Sequence, residues 1–479
     1  MGARVWTFGQ VIGLALTGIA TAAVISPAAH AETLADALRQ ALVSNPDLAA
    51  LRADLRAQQE SIVQARAANG WQVSAGANVG GVFSDPLNGR EVLNAPVGVN
   101  VGAQLPIYTG GRNAAREEAA RRGVDASLER YLASEQSTLL RVIDAYSNVR
   151  RDLDVLRIRE NNIRVLTRQL EATRARFEVG EVTRTDIAQA EARLAGARAA
   201  LAGAQSTVEL SRAAFARVVG QPPGALDAPP PVTDLPASLD AAVARGLEAA
   251  PALRAAQAQI AAARAAVRLA DSQFRPSASL SLSADGSISD LSDIDLQRST
   301  GVSASARVSV PLFTSGLTRS GARQAREQET AARLRAAGAE QDVTQFVTNA
   351  WAGLQAARAV IAASREQVRA AEIALEGARN ELEVGSRTTL EVLNQEQELL
   401  EARLSLANAE RDAQVAAYQV LQAMGELSPE RLGLVAERVD PARADALIAR
   451  PFELTDDVAR AFAPDPAAVE PVMVAEEAP

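Results

Sequence analysis

Between Trp71 and Phe83 the odd positions read Trp, Val, Ala, Ala, Val, Gly, Phe, and the even positions Gln, Ser, Gly, Asn, Gly, Val. From Val97 to Ile107 the odd positions are Val, Val, Val, Ala, Leu, Ile, with Gly, Asn, Gly, Gln and Pro between them. Further along, Ala278, Leu280, Leu282 and Ala284 alternate with serines, and Val302, Ala304, Ala306, Val308 and Val310 alternate with Ser303, Ser305, Arg307 and Ser309. This period of two predicts strands at about 71–83, 95–107, 276–286 and 300–313, with one face apolar and the other polar. Strands of roughly ten residues with that alternation cross a membrane between lipid and a polar lumen; a half-buried strand of a soluble sheet has the same pattern. Pro96 and Pro106 fall at strand ends, where a missing N–H is tolerated. The links Ser84 to Asn94 and Ser287 to Ser299 are rich in turn formers and read as loops outside the cell.

The rest of the chain follows a helical period. Arg112 to Glu178 holds no proline and one glycine, and Leu128, Val142, Val149, Leu156, Ile163, Leu170 and Phe177 recur at multiples of seven. A helix of that length extends roughly 100 Å. Val347, Leu354, Ile361, Val368, Leu375 and Leu382 repeat the series later. A returning helix carries Ile187, Leu194, Leu201, Val208 and Phe215, each followed three residues on by Ala190, Ala197, Ala204, Ser211 or Val218. Large residues paired with small ones in heptads predict closely packed coiled-coil helices. The shorter helices after Pro46 and Pro251 lead into strands and are expected to stack end to end on the returning helices.

Two turns join long helix to returning helix, Val179-Gly180-Glu181-Val182-Thr183 and Val384-Gly385-Ser386-Arg387-Thr388. Gly180 and Gly385 fit a left-handed position just past a helix end. Thr183 with Asp186, and Thr388 with Glu391, fit capping boxes, a structural role that leaves room for a second one.

These turns belong to a duplication. Leu34-Ala35-Asp36-Ala37 matches Leu239-Asp240-Ala241-Ala242, Leu105-Pro106-Ile107-Tyr108-Thr109 matches Val310-Pro311-Leu312-Phe313-Thr314, and the two glycine turns match each other, all at an offset of 205 residues. A constant offset means two equal halves with the same order of elements. The predicted organisation is a first repeat at 32–220, a Pro-rich linker at 221–236, a second repeat at 237–427, and an acidic Pro/Ala-rich, largely disordered tail at 428–479. Four strands cannot close a barrel, since known barrels have about eight or more, and an open sheet edge cannot sit in lipid. The sheet therefore calls for oligomerisation, and three chains would supply twelve strands.

Composition narrows the chemistry. Residues 1–31 carry Arg4, an apolar run from Val11 to Ile25 and Ala29-His30-Ala31, the features of a secretory signal. The chain's one histidine is His30 and it has no cysteine, so the exported part has no His or Cys metal site, thiol chemistry, disulfide or lipoprotein cysteine. No cofactor is called for, and anchoring in a membrane falls to the fold. Formal net charge is −9; from Asp440 onward nine acidic residues face three arginines, so the acidity belongs mostly to the tail, and nucleic-acid binding is disfavoured. A secreted hydrolase could use paired carboxylates, but these lie on regular helical faces with no accompanying site motif.

Duplicated helix-strand-strand-helix halves, each with a V-G-x-x-T turn, resemble the TolC family of outer-membrane factors, over about Thr33 to Leu427. The resemblance implies a mainly α fold with a membrane β-barrel: a homotrimer with a twelve-stranded barrel in outer-membrane lipid and a long α-helical barrel in the periplasm. It implies partners at the tip, a periplasmic adaptor protein and an inner-membrane ABC or proton-driven transporter. Val179, Gly180, Thr183, Val384, Gly385 and Thr388 would form the tip turns and adaptor contact. The resemblance also places Asp186 near Arg387 as a closing tie, and Glu391 and Asn394 at the constriction. There the family often has two acidic residues; Asn394 is neutral, leaving Glu391 as the charged ring. The expected function is a non-enzymatic export channel for efflux or type I protein secretion, the missing lipoprotein cysteine leaning toward the branch that includes the latter. The alternative is a structural periplasmic coiled-coil protein of the cell envelope, which accounts for the helices but not the strands.

Overall fold

The computed structural model describes residues 32–84, 92–94, 97–291 and 294–434. The proposed signal, the tail beyond Leu434 and part of the Ser84–Asn94 link lie outside the described residues. The first half runs α1 (Leu34–Ser44), α2 (Pro46–Ala67), β1 (Gln72–Val79), β2 (Val82–Ser84), β3 (Val92–Asn94), β4 (Val97–Tyr108), α3 (Arg112–Glu178), α4 (Arg184–Val219). The second runs α5 (Leu239–Ala249), α6 (Pro251–Ser272), β5 (Ser277–Leu291), β6 (Ile294–Ser309), α7 (Leu317–Glu383), α8 (Thr389–Ala423). Leu34 and Leu239, Pro46 and Pro251, Arg112 and Leu317, and Arg184 and Thr389 open matching helices, each pair 205 positions apart. The two long helices, α3 and α7, both have 67 residues.

All strand pairings are antiparallel, in the order β1, β4, β5, β6, with β2 and β3 pairing beyond the ends of β1 and β4. Through the middle of the sheet the register keeps the faces pure; toward the β5–β6 hairpin end Arg298 enters the apolar face, opposite Ile288. Val73, Ala103, Leu282 and Ala304 form one row across the sheet, and Gln72, Gln104, Ser281 and Ser305 form the next. Two boundaries differ from the sequence-based expectation. The fourth strand ends at Ser309 rather than near 313; Pro311, two residues on, has no N–H to continue a ladder. On its described residues the expected loop Ser287 to Ser299 is instead ladder, since β5 continues to Leu291 and β6 begins at Ile294, with Ser287 opposite Ser299 and Ile288 opposite Arg298; residues 292 and 293 lie outside the described residues. With the partner strand adjacent in the chain, backbone hydrogen bonds carry the hairpin through polar residues that resemble a turn in composition.

Where strands meet helices, each of the four junctions carries one exposed aromatic: Trp71 before β1, Tyr108 at the end of β4, Phe274 before β5 and Phe313 after β6. Aromatic side chains concentrate at membrane–water boundaries because their rings are apolar and their edges tolerate water. The four rings mark the level at which the sheet ends and the helices begin. Among the described residues no helix is long and apolar enough to cross a membrane.

Pro46 and Pro251 occupy the first turn of α2 and α6, where a missing N–H costs nothing, and they break each short helix from its predecessor. The Asn45 side chain accepts from the N–H groups of Asp47 and Leu48 at 3.0 and 3.2 Å, and donates to the Val218 carbonyl at 2.9 Å. Ser44 donates to the Val219 carbonyl at 2.6 Å. The end of α4 is thereby docked on the start of α2, the expected stacking. In the second half a Cβ on Gly425, just past α8, would lie 2.7 Å from the Ala249 carbonyl oxygen, so α8 meets the α5–α6 junction in the same way. Side by side, α3 packs on α2 and α6 near the sheet and on α4 and α8 further away, while α7 packs on α6 and α8. The largest core sits at the stacking level, around Leu48, Leu139, Ile143, Tyr146, Phe215, Val347, Leu354 and Met424. The Pro-rich linker is strapped across it. Leu226 bridges Glu32, and the Tyr146 hydroxyl lies 2.8 Å from the carbonyl oxygens of Glu32 and Asp227. Burial pushes the Tyr146 phenol up to about 12, so it stays a donor.

Candidate functional site

The sequence-predicted site residues gather at the end of the molecule farthest from the sheet, on the hairpins α3/α4 and α7/α8. Both turns close in the same way. Gly180, at φ +82°, donates to the Phe177 carbonyl and Glu181 to that of Arg176, both at 2.9 Å. Gly385, at φ +75°, donates to Leu382 at 3.1 Å and Ser386 to Glu381 at 2.9 Å. These are paired 5→2 and 6→1 bonds around a left-handed residue, which glycine adopts without steric cost. Val179 and Val384, the residues before the glycines, are exposed apolar side chains at the extremity of the tips.

Capping carboxylates then start the returning helices. Asp186 accepts from the Thr183 backbone N–H at 2.7 Å and from its hydroxyl at 2.8 Å. Glu391 accepts from the N–H and hydroxyl of Thr388 at 2.8 and 3.0 Å, and its own N–H donates to the Thr388 hydroxyl at 3.3 Å. The Thr388 donors hold the Glu391 carboxyl below the usual carboxylate range, with a smaller contribution from Arg387. Glu391 is therefore an anion at neutral pH, fixed at the tip by its own cap.

Arg387 and Asp186 are not paired within one chain. Arg387 forms its ion pair with Glu381 on its own hairpin, and Asp186 is held by Thr183. Asn394 has a partner that sequence spacing did not suggest: its side-chain oxygen accepts from Arg193 of α4 at 2.8 Å, joining the two hairpins.

Sequence reasoning also missed a pair of ionic clasps. Arg174 of α3 meets Glu191 of α4 at 2.7 Å, and Arg379 of α7 meets Glu396 of α8 at 3.0 Å. Both pairs are 17 residues apart, and they are related to each other by the same offset of 205, a signal that was present in the duplication. Their surroundings differ. The first pair is exposed, whereas Glu396 is 7% exposed because α3 covers it, and its Oε2 has no hydrogen-bond partner. Burial pushes the Glu396 carboxyl up, against the opposing pull of Arg379. Glu396 lies between two cavities: one of about 670 Å³, bordered by Leu166, Arg193 and Leu393, and one of about 210 Å³, bordered by Ile158, Arg379 and Leu399. The seam between hairpins is thus looser than the packing within them. Among the described residues no group of His, Asp or Glu could hold a metal ion.

Comparison with known proteins agrees with this architecture along nearly the whole described chain. The family model described as "Outer membrane efflux protein" matches residues 37–221 and 243–426, one segment for each half. The outer membrane efflux protein BepC of Brucella suis is 33% identical over 414 residues, covering 86% of this chain and 90% of BepC. The outer membrane protein TolC of Vibrio cholerae is 28% identical over 420 residues, covering 85% and 93%. In three dimensions the MtrE outer membrane channel of Neisseria gonorrhoeae, solved in its open state, superposes with a TM-score of 0.68 at 24% identity, over 82% of this chain and 89% of MtrE. Both halves match the family separately, and their helices, strands and tip turns recur in the same order, so the chain belongs to the outer membrane efflux protein family, the TolC-like outer-membrane factors.

Proposed function

We propose that three copies of this chain close edge to edge into one channel, with twelve strands in the outer membrane above a helical tube in the periplasm. Efflux substrates or type I secreted proteins pass through it. The observation that carries the reading is that each chain is open along both sides, at β1 with α2 and α4 on one and at β6 with α7 on the other. An unpaired strand edge in lipid costs several kcal/mol for each unsatisfied group. Three antiparallel steps separate β1 from β6, so the two run in opposite directions, and β6 of one copy against β1 of the next continues the alternation. The duplication supports the same closure below. Within a chain α3 packs on α6 and α8; shifted by 205 residues, the matching seam is α7 on α2 and α4 of the next copy.

At the tips, Val179, Val384 and the turn residues Gly180, Thr183, Gly385 and Thr388 meet a periplasmic adaptor. The adaptor is coupled to an inner-membrane ABC or proton-driven transporter that supplies the energy. Asp186 of one hairpin and Arg387 of another tie the tips in the closed channel, and three Glu391 carboxylates ring the constriction with Asn394 one helical turn further along α8. Arg387 then has two competing carboxylates, Asp186 when tied and Glu381 when free, and exchange between them is a low-cost route to opening. Heat-modifiable trimers in purified outer membranes, with ion conductance in planar bilayers, are the expected result; a soluble monomer without conductance would overturn the channel. Arg387→Ser raises the conductance of intact trimers if the tie exists, and unchanged conductance counts against it.

A further inference from the structure

Where its side chains are described, up to Ile288 on β5 and from Arg298 on β6, the polar face of the sheet carries serines, glycines, Gln72, Asn78, Asn100, Gln104 and Pro106, with two charges, Asp285 on β5 and Arg307 on β6. The two are held differently. A Cβ on Gly301 would lie 3.0 Å from the Asp285 carboxylate, so Asp285 lies flat over the glycine opposite it on β6. Asn100 lies over Gly76 and Asn78 over Gly98 in the same manner. Arg307 has no such bed: it stands opposite Ser279, with Ser305 and Ser309 as its neighbours on that face, and is exposed. Neither residue forms an ion pair with a described residue. Arg307 belongs to the end of β6 that runs into α7, and its partner Ser279 is six residues from Asp285, about 20 Å along the strand at roughly 3.4 Å per residue.

We infer that Arg307 and Asp285 set the charge selectivity of the barrel, Arg307 as a cationic ring at its periplasmic mouth and Asp285 as a weaker anionic ring further out. The inference rests on the trimeric-channel reading, which repeats each residue three times around the lumen. The guanidinium, extending from a wall of serines, projects its charge toward the axis; the carboxylate, flattened on Gly301, keeps its charge at the wall. The first ring therefore dominates, and the barrel favours small anions and acidic stretches of a larger cargo. That is the opposite sign to the Glu391 ring at the far tip. Rings of fixed charge act on permeating ions through their field, which reaches across a wide lumen only at low ionic strength, where the screening length is about 30 Å at 0.01 M salt.

The absence of cysteine from the chain makes the test direct. Reversal potentials are measured for reconstituted trimers across a potassium chloride gradient near 10 mM, for wild type, Asp285→Asn, Arg307→Cys and Val308→Cys. The expected result is that Arg307→Cys lowers the chloride-to-potassium permeability ratio by a factor of about two or more. A water-soluble cationic thiol reagent restores the ratio and an anionic one lowers it further. Asp285→Asn shifts it the other way by less, and Val308→Cys, one residue along and on the apolar face, responds to neither reagent. Normal conductance with an unmoved ratio in Arg307→Cys overturns the assignment, as does a Val308→Cys response equal to that of Arg307→Cys. No conductance in wild type overturns the channel reading beneath it, so the two failures are told apart.

Discussion

Gly180, Gly385 and Gly425 all follow long helices at positive φ, yet they answer to different constraints. Around Gly180 and Gly385 a Cβ would meet nothing within 4 Å, so replacement by alanine costs only the left-handed conformation, about 1–2 kcal/mol. At Gly425 the same Cβ would press on the Ala249 carbonyl oxygen and the Ala250 Cα, both at 2.7 Å. Overpacking adds about 1–3 kcal/mol there. Denaturation of the purified protein is expected to show Gly425→Ala clearly less stable than Gly180→Ala. Glu396 gives a pH dependence of definite sign. Its folded carboxyl is raised by burial, so its favourable contribution is full below the ordinary glutamate pKa and is lost as pH rises through the folded value. Glu396→Gln removes that loss. Melting temperatures should show the variant gaining on wild type as pH rises from acid to neutral, and a gap independent of pH would contradict the burial argument.

At the scale of the element, the two hairpins are one design in two environments. The clasp Arg174–Glu191 is exposed on both sides, and pairs of that kind contribute roughly 0.2–1 kcal/mol. Its counterpart Arg379–Glu396 has one member buried under α3, and removing the arginine leaves a buried charged group without its donor, a loss of about 1–3 kcal/mol. Arg379→Ala is therefore expected to destabilise more than Arg174→Ala in equilibrium unfolding, and equal effects would show that α3 does not distinguish the seams. The capping boxes at Thr183 and Thr388 were legible in the sequence because each is a contact between residues three apart. The burial of Glu396 was not, because α3, which covers it, lies more than 200 residues earlier. The expected Ser287–Ser299 loop failed for a related reason. Composition reports which residues tolerate a turn, whereas the ladder depends on whether a partner strand is present.

For the whole molecule, the sheet's apolar face is a lipid face only if the copies close around the polar one. Val302 is 88% exposed in the single chain and lies on the apolar face. Val302→Arg is expected to destabilise the assembled barrel by about 2–4 kcal/mol if the residue lies near the middle of the bilayer, read as a lower temperature for trimer dissociation in heat-modifiability gels. Ser303→Arg, next along the strand and on the polar face, should leave that temperature nearly unchanged. In the proposed channel the four exposed aromatics at the strand–helix junctions would lie at the periplasmic surface of the membrane.

The amino-acid sequence by itself determined the features whose physics is local or periodic. These are strands of period two, helices of heptad period, glycine turns with their caps, and two halves in constant register. Four strands and the cost of an open edge in lipid also lead from sequence to the expectation that one chain is not enough. Only the tertiary structure decided what depends on neighbours distant in the chain: that α4 docks on α2 through Asn45, that Arg193 reaches Asn394, that one clasp is buried and its duplicate is not, and that Asp285 rests on a glycine while Arg307 stands free. Periodicity tells which face of an element is turned inward. Which residue meets it there is set by how the elements are brought together, and the proposed site of selectivity and the expected pH response follow from those meetings.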